Sequence, residues 1–248
     1  MTLAPLTHKR RKPATAAVRG RSAPVLPPED VKNLGRSAYE EIKRRILSNA
    51  YPGGFHVLES ALSEELGMSR TPLKEALVRL ENEGLVEVMP RRGMRVLPLN
   101  AQDIADIYQV LSSLEVLAAR VLAGRKDNGE SVARLQAEVE RMKAALERDK
   151  IEAWAVADER FHRLLVDETA NPRLAAAART LLDQSQRFRM HTLRMREKPL
   201  RSTRSHERLV AAIRRHDPEK AVAEHSVHKA NWHEDMGMLM QKFGIRHI

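Results

Sequence analysis

The stretch from Leu58 to Leu97 constrains the fold more than any other, because helix, turn, helix and hairpin signals follow one another within it. Ser60 is a candidate N-cap for a first short helix. Gly67 suits the end of that helix, since glycine accepts a positive φ without a steric cost. Ser69 is a candidate N-cap for a second helix, which Gly84 would end. This order of elements predicts a winged helix-turn-helix.

The second helix of this motif has an apolar side and a polar side. Its apolar residues recur at steps of three and four, which predicts a core-facing stripe of Leu73, Ala76, Leu77 and Leu80. The candidate DNA-contacting residues are Ser60, Ser69, Arg70, Thr71, Lys74, Arg91, Arg92 and Gly93. The alternative is a solvated helical corner beside a basic hairpin. The turn spacing together with two cationic stretches favours DNA binding.

The net charge indicates a polyanionic partner. The formal charge is +10 and the sequence pI is about 10.1, although charge alone does not separate a nucleic acid from a membrane surface. The chain has no cysteine, which excludes disulfide frameworks and thiolate chemistry and is compatible with a reducing compartment. No uninterrupted apolar run approaches the length of a membrane span. We therefore expect a cytoplasmic protein without a membrane partner.

Three regions are predicted along the chain, residues 1–35, 36–99 and 100–248. The first carries five prolines and seven Lys or Arg residues, and no apolar segment follows its charges as in a signal peptide. It is predicted to be a disordered basic tail, either a solubilising leader or a weak contact to DNA of any sequence. The winged domain would begin with a helix over residues 37–50, which the Pro-Gly-Gly at 52–54 ends.

The region from Asn100 onward is predicted to be all helical. Asn100 is a candidate N-cap for a long amphipathic helix that ends near Gly124. No strand pattern follows Leu97, and the prolines after Asn171 and Asp217 mark helix boundaries. Further helices are predicted over residues 130–148, 151–169, 172–194, 200–216 and 218–241. The fold class is therefore mainly α, a winged helix-turn-helix followed by an all-α bundle of about six helices.

Polar side chains interrupt the apolar faces of three bundle helices. Asp158 and His162 lie one turn apart on one helix, His206 lies on a second, and His225 and His228 lie on the last. Burying such groups without partners would cost several kcal/mol. A carboxylate and imidazoles from three helices suit a divalent transition metal such as Zn²⁺, Ni²⁺ or Mn²⁺. The alternative is mutual hydrogen bonding, or histidines on a rim.

Residues 36–99 resemble the DNA-binding domain of the GntR family of bacterial transcription regulators. The residues that carry the resemblance are Ser69-Arg70-Thr71-Pro72, Glu75-Ala76-Leu77, Leu80-Glu81, Glu83-Gly84-Leu85 and Arg92-Gly93. Lys74 departs from the family pattern, which usually has arginine there, and Asn49-Ala50-Tyr51 replaces a common glycine-containing link. Lysine keeps the charge but lacks the bidentate fork, so we expect Lys74 to contact a phosphate.

Residues 100–243 resemble the six-helix, VanR-like form of the FCD ligand-binding domain, which occurs in the FadR-like branch of that family. Glu115, Asn171-Pro172 and Asp217 fit its pattern. The resemblance implies the metal ligands Asp158, His162, His206 and His228. It leaves His225, one turn from His228, as an extra ligand or as a neighbour of the ligands.

One departure concerns the effector that such a domain binds. Many relatives carry an arginine four residues before the glutamate of the first bundle helix, where it binds the carboxylate of an organic acid. That position is Leu111 here. Arg187 and Arg189 are candidate replacements if they are not exposed. Without them, we expect a less acidic effector, held by the metal and by apolar walls.

The resemblance implies a homodimeric transcription regulator, more often a repressor in this family. Two recognition helices would read the half-sites of an inverted repeat in double-stranded DNA, and a small-molecule effector would control binding. The chain is not expected to be an enzyme, since it has no nucleophile elbow, H-E-x-x-H motif or phosphate loop. Two alternatives remain, a metal-dependent hydrolase fused to a DNA-binding module and an architectural DNA-binding protein with a structural metal.

Overall fold

The computed structural model describes residues 28–245 and residue 247. Most of the predicted basic tail, residues 1–27, therefore lies outside the described residues. The remainder of that tail prediction is wrong, because the first helix begins at Pro28 rather than near Ser37. Proline suits a first helical turn, because its missing N–H has no partner within the helix there.

The N-terminal domain combines three helices with a small sheet. Its elements are α1 (Pro28–Leu47), β1 (His56–Val57), α2 (Glu59–Leu66), α3 (Arg70–Asn82), β2 (Val86–Met89) and β3 (Gly93–Val96). The predicted stripe of α3 is buried and packs against Ile42 of α1 and Leu62 of α2. The winged helix-turn-helix prediction is confirmed.

The turn between α2 and α3 follows the sequence prediction closely. Gly67 has φ +63°, and Ser69 is the extended residue before α3, although its side chain makes no capping hydrogen bond. The predicted N-cap role of Ser60 is wrong, because α2 begins after Leu58. Strand β1 ends at Val57, so a single extended residue separates the strand from the helix.

The wing is a three-stranded antiparallel sheet with strand order β1-β3-β2, of which only β2 and β3 were predicted. In the middle strand, Met94 pairs with Val57 on one side and with Val88 on the other. Gly93 has φ +87°, and a Cβ atom there would lie 2.0 Å from the carbonyl oxygen of Val57. Only glycine allows β3 to approach β1 so closely.

The C-terminal domain is the predicted helical bundle. Its helices are α4 (Ala101–Gly124), α5 (Gly129–Glu147), α6 (Ile151–Asp167), α7 (Pro172–Thr192), α8 (Leu200–Arg214) and α9 (Pro218–Phe243), with a 3-10 turn at Leu193–Met195. Asn100 forms a capping box with Asp103, and the side chains of Asn171 and Asp217 cap α7 and α9. These caps fix three of the predicted boundaries.

Helix α4 lies at the centre of the bundle and packs against α6, α7, α8 and α9. Among the described helices, it alone is long and apolar enough by length and composition to cross a membrane, contrary to the expectation that no apolar run approaches that length. A buried core helix passes the same test, and α4 carries the fully buried carboxylate of Glu115 toward its neighbours. We therefore interpret α4 as a core helix.

Candidate DNA interface and metal centre

The N-terminal end of α3 presents a polar, cationic surface to solvent. Ser69, Arg70, Thr71 and Lys74 are exposed there, and Ser60 is exposed on α2. Within residues 28–245, neither Arg70 nor Lys74 forms an ion pair, so both charges are available to an anionic partner. This is the end of a recognition helix that reaches base edges in known complexes.

The tip of the wing adds two further cations. Arg91 and Arg92 are exposed, and Arg91 has a positive φ of 63° in the turn. Gly93, which was predicted as a DNA contact, is buried against β1 instead. It supports the wing rather than facing solvent, because its missing side chain makes room for the backbone of Val57.

The four residues predicted as metal ligands lie together in the bundle. Asp158 and His162 come from α6, His206 from α8 and His228 from α9, and all four are buried. One ring nitrogen of each histidine lies within 4.8 Å of the others. Asp158 Oδ1 lies 3.0 Å from His206 Nε2 and 3.8 Å from His162 Nε2. Three helices thus bring three imidazoles and one carboxylate into one buried cluster.

Burial holds the imidazoles of His162 and His228 in the neutral form that binds metal. Burial lowers the pKa of His162 to about 3, although Glu115 and Asp158 raise it. Burial also lowers the pKa of His228 well below its ordinary value. Burial raises the pKa of Asp158, but the charges of His162 and Arg189 outweigh that effect and leave the pKa below its usual range. At neutral pH, His162 and His228 therefore offer neutral nitrogen, and Asp158 offers anionic oxygen.

Binding of a divalent transition ion would satisfy these side chains more completely than mutual hydrogen bonding does. Mutual hydrogen bonding pairs His206 with Asp158, yet among the residues that the structure describes His206 Nδ1 has no partner. No hydrogen bond to the His228 ring is found in the described part of the chain. A metal ion that binds these nitrogens would offset their lost hydration.

A second cluster lies behind the first and centres on Glu115 of α4. Its oxygens lie 2.8 Å from His162 Nδ1 and 3.4 Å from His225 Nε2, and the ammonium of Lys229 contacts it directly. Glu115 therefore orients His162 from behind, as carboxylates do for metal-binding histidines. The Lys229 charge disfavours a second metal ion here. The geometry thus favours His225 as a neighbour of the ligands.

A cavity of about 600 Å³ opens beside the His162 and His228 rings. Tyr108 and Trp232 form one apolar wall, with their rings stacked at 3.4 Å between centroids. Arg196 and Lys198 are among the cations that line this cavity. The cavity can hold a small molecule with an apolar body and an oxygen-bearing group directed at the metal-ligand cluster.

The two candidate replacements for the missing carboxylate clamp differ in position. Arg189 is 7% exposed and lines the cavity, with Nη1 3.2 Å from Asp158 Oδ2 and Nη2 free of hydrogen-bond partners among the described residues. Arg187 is also buried but donates from Nη2 to the carbonyl oxygen of Leu97 at 2.6 Å. The alternative that both arginines are exposed is wrong. Of these two arginines, Arg189 faces the cavity and Arg187 does not.

Sequence reasoning missed Lys229 as a residue of this site. It is 5% exposed, lines the cavity and lies beside His228 on α9. Its position was detectable, because it falls one turn after His225 on the same helical stripe. A lysine on an apolar stripe needs a carboxylate partner, which Glu115 supplies here.

Two known protein families match the chain, in the same order as its two domains. Residues 34–96 match the bacterial regulatory proteins of the gntR family, and residues 106–230 match the FCD domain. These matches confirm both resemblances noted in the sequence.

Individual proteins agree with the family matches. An uncharacterized HTH-type transcriptional regulator in the TAR-I ttuE-ttuC' intergenic region of Agrobacterium vitis is 42% identical over 157 residues, which are 61% of this chain and 92% of that protein. A probable D-xylose utilization operon transcriptional repressor of Paenarthrobacter nicotinovorans is 30% identical over 188 residues, 75% of this chain and 80% of that protein. The solved structure of E. coli McbR/YncC shares the fold, with a TM-score of 0.73 and 21% identity over 85% of this chain and 98% of that chain.

Proposed function

Because the chain belongs to the gntR family of bacterial regulatory proteins and carries an FCD domain, we propose that it is a repressor whose operator binding is controlled by a small molecule bound beside a metal ion. Members of these families are transcription regulators rather than enzymes, so the hydrolase alternative is set aside. The observation that carries the proposal is a buried cluster of three imidazoles and Asp158, of which Asp158, His162 and His228 line a cavity in this domain.

The DNA-reading part of the proposal depends on the exposed end of α3. Arg70 would read a base edge, since arginine bonds guanine with two parallel donors, and Lys74 would contact a phosphate. Arg91 and Arg92 would add a contact from the wing. A homodimer would place two such surfaces on the half-sites of an inverted repeat, and we place its action in the cytoplasm.

The metal part of the proposal uses all four predicted ligands, Asp158, His162, His206 and His228. A divalent transition ion such as Zn²⁺, Ni²⁺ or Mn²⁺ would supply a Lewis-acidic centre for an oxygen of the effector. Among this chain's own residues, Glu115 orients the ring of His162 from behind. Trp232 and Tyr108 offer a stacked apolar wall to the body of the ligand.

The cations of the cavity support an acidic effector, in place of the less acidic one that Leu111 suggested. Arg189 Nη2 has no hydrogen-bond partner among the described residues, and the Lys229 ammonium, which contacts Glu115, lines the same cavity. Leu111 itself is buried in the core of the bundle. An arginine from α7 would thus serve where relatives use one from the first bundle helix.

The test combines metal analysis with DNA selection on the full-length protein. The protein purified without chelator should contain about one divalent transition ion per chain, as a single four-ligand site allows. Selection from random DNA followed by footprinting should yield an inverted repeat. Protection without sequence preference would favour the architectural alternative, and absence of metal together with a Tm unmoved by added Zn²⁺, Ni²⁺ or Mn²⁺ would contradict the metal site.

A further inference from the structure

The two domains meet where α1 packs against α7, and the contact includes a buried ion pair. Asp183 of α7 is 1% exposed, and its Oδ2 lies 2.6 Å from the Nζ of Lys43 on α1. Burial lowers the pKa of Lys43, but Asp183 and the other partners of the ammonium raise it further, so the lysine stays charged. The electrostatic attraction between two charges is stronger at such a buried position than between exposed side chains, because the effective dielectric constant is lower.

Each partner of this pair leads onward into its own domain. Lys43 Nζ lies 2.6 Å from Glu83 Oε2, and Glu83 is the C-cap residue of the recognition helix α3. Asp183 Oδ1 accepts a hydrogen bond from Nη2 of Arg163 at 2.5 Å. Arg163 directly follows the predicted metal ligand His162 on α6. Continuous charge contacts therefore run from the metal-binding helix to the end of the recognition helix.

We propose that the Lys43–Asp183 ion pair holds the DNA-binding domain against the helical domain and transmits occupancy of the metal site to the recognition helix. The inference rests on the proposed metal-controlled regulator. A shift of α6 on ligand binding would move Arg163, and with it the carboxylate that holds Lys43. A contact shared by two rigid elements couples the metal site to the recognition helix when that contact differs between two arrangements of the domains.

The chain offers variants that test the pair without stranding a charge. In Lys43→Met, Asp183 still has Arg163 as a partner, and in Asp183→Asn, Lys43 still has Glu83. Both variants should therefore fold, which circular dichroism checks. The matched control is Asp149→Asn, the same change in an ion pair that is exposed and lies within the helical domain.

The first readout is the distance between the domains in the full-length protein. The chain has no cysteine, so Ala61→Cys and Ala133→Cys, both at exposed positions, place one spin label on each domain. Mixing with excess unlabelled protein keeps one labelled chain per dimer. We expect pulsed electron paramagnetic resonance to give a narrow distance distribution for the wild type and the control. The distribution should broaden in Lys43→Met, Asp183→Asn and the double variant, and the double variant should be no broader than either single.

The second readout is the change in DNA affinity caused by Zn²⁺ alone, measured on a duplex selected by the wild type. The ratio of Kd values with and without Zn²⁺ should fall to unity in the Asp183→Asn variant and stay at the wild-type value in the control. Distance distributions that coincide for all variants, or an unchanged Zn²⁺ response in Asp183→Asn, would overturn the proposal. A wild type that binds no Zn²⁺ would count against the proposed function instead, and the distances would still decide the role of the ion pair.

Discussion

Replacing Lys229 with methionine should strongly destabilise the metal-free protein. The Lys229 ammonium contacts the carboxylate of Glu115, and both side chains are buried, with Glu115 at 0% exposed. Two unit charges about 4 Å apart attract by about 4 kcal/mol at an effective dielectric constant of about 20. Removing one partner of a buried pair costs about 3–5 kcal/mol, because the other charge is left uncompensated. We therefore expect the free energy of unfolding to fall by about 3–5 kcal/mol.

The loss should depend on pH, and its sign follows from Glu115. In the wild type, burial raises the pKa of Glu115, but Lys229 and His162 lower it further, so the carboxylate stabilises the fold above its unfolded pKa. Without Lys229, burial dominates and the folded pKa rises above the unfolded value. The penalty then disappears as Glu115 takes up a proton. The difference between variant and wild type should shrink from about pH 7 toward about pH 5.

Urea denaturation in the presence of chelator, at one fixed chain concentration, measures these free energies. The double variant Glu115→Gln/Lys229→Met should recover most of the loss, because it removes both charges. The matched control is Lys220→Met on the same helix, where the lysine is 52% exposed and pairs with Glu224. That control should cost less than about 1 kcal/mol. A Lys229→Met variant within about 1 kcal/mol of the wild type, or a double variant no better than the single, would refute the reasoning.

Arg70→Ala should weaken binding to the selected operator by about 1–3 kcal/mol and relax preference at one base pair, whereas Lys74→Ala should weaken all sequences evenly. Fluorescence anisotropy on operator and scrambled duplexes measures both, and an Arg70→Ala variant that binds like the wild type contradicts the docking. The full-length protein should sediment as a dimer without DNA at micromolar concentration, and a monomer would rule this out. Elemental analysis should show that His228→Ala loses most of the metal and that His225→Ala loses much less, because His225 Nε2 lies beside Glu115. Equal losses would contradict the assignment of His225 as a neighbour of the ligands. The Tm of the metal-free protein should fall as the pH drops below about 6.5, because the buried histidines take up protons only on unfolding; a flat profile would contradict their burial in neutral form.

The helices of the C-terminal domain were predictable because their signals are local. Asn100, Asn171 and Asp217 cap the helices that follow them, and the apolar periodicity between caps gives each helix its length. Strand β1 was not predictable from the same signals. Its two residues are extended only because Val57 pairs with Met94, far along the chain. The early start of α1 at Pro28 was missed because the prolines and basic residues of segment 1–35 favoured a disordered tail.

The candidate site shows the same division. Asp158 and the histidines were recognised as polar residues on apolar stripes, a pattern visible within single helices. Lys229 was missed because its burial depends on Glu115, which comes from a different helix. The roles of Arg187 and Arg189 were likewise open. Only one residue lies between them, yet Arg189 faces the cavity and Arg187 donates to the carbonyl oxygen of Leu97. Contacts between distant elements decide these cases.

Gly93 has a consequence for the operator that this protein would recognise. A Cβ atom on this residue would lie 2.9 Å from the backbone nitrogen of Glu59, the first residue of α2, so β3 packs tightly against the start of the helix-turn-helix. We therefore expect the distance between the Arg70 and Arg92 contacts along the DNA to be constant. Within a half-site, an inserted or deleted base pair would put one of the two contacts out of register. The permitted spacing between half-sites is set instead by how the dimer holds its two DNA-binding domains. Tolerance for spacer length would therefore depend on the dimer and not on the individual DNA-binding domain.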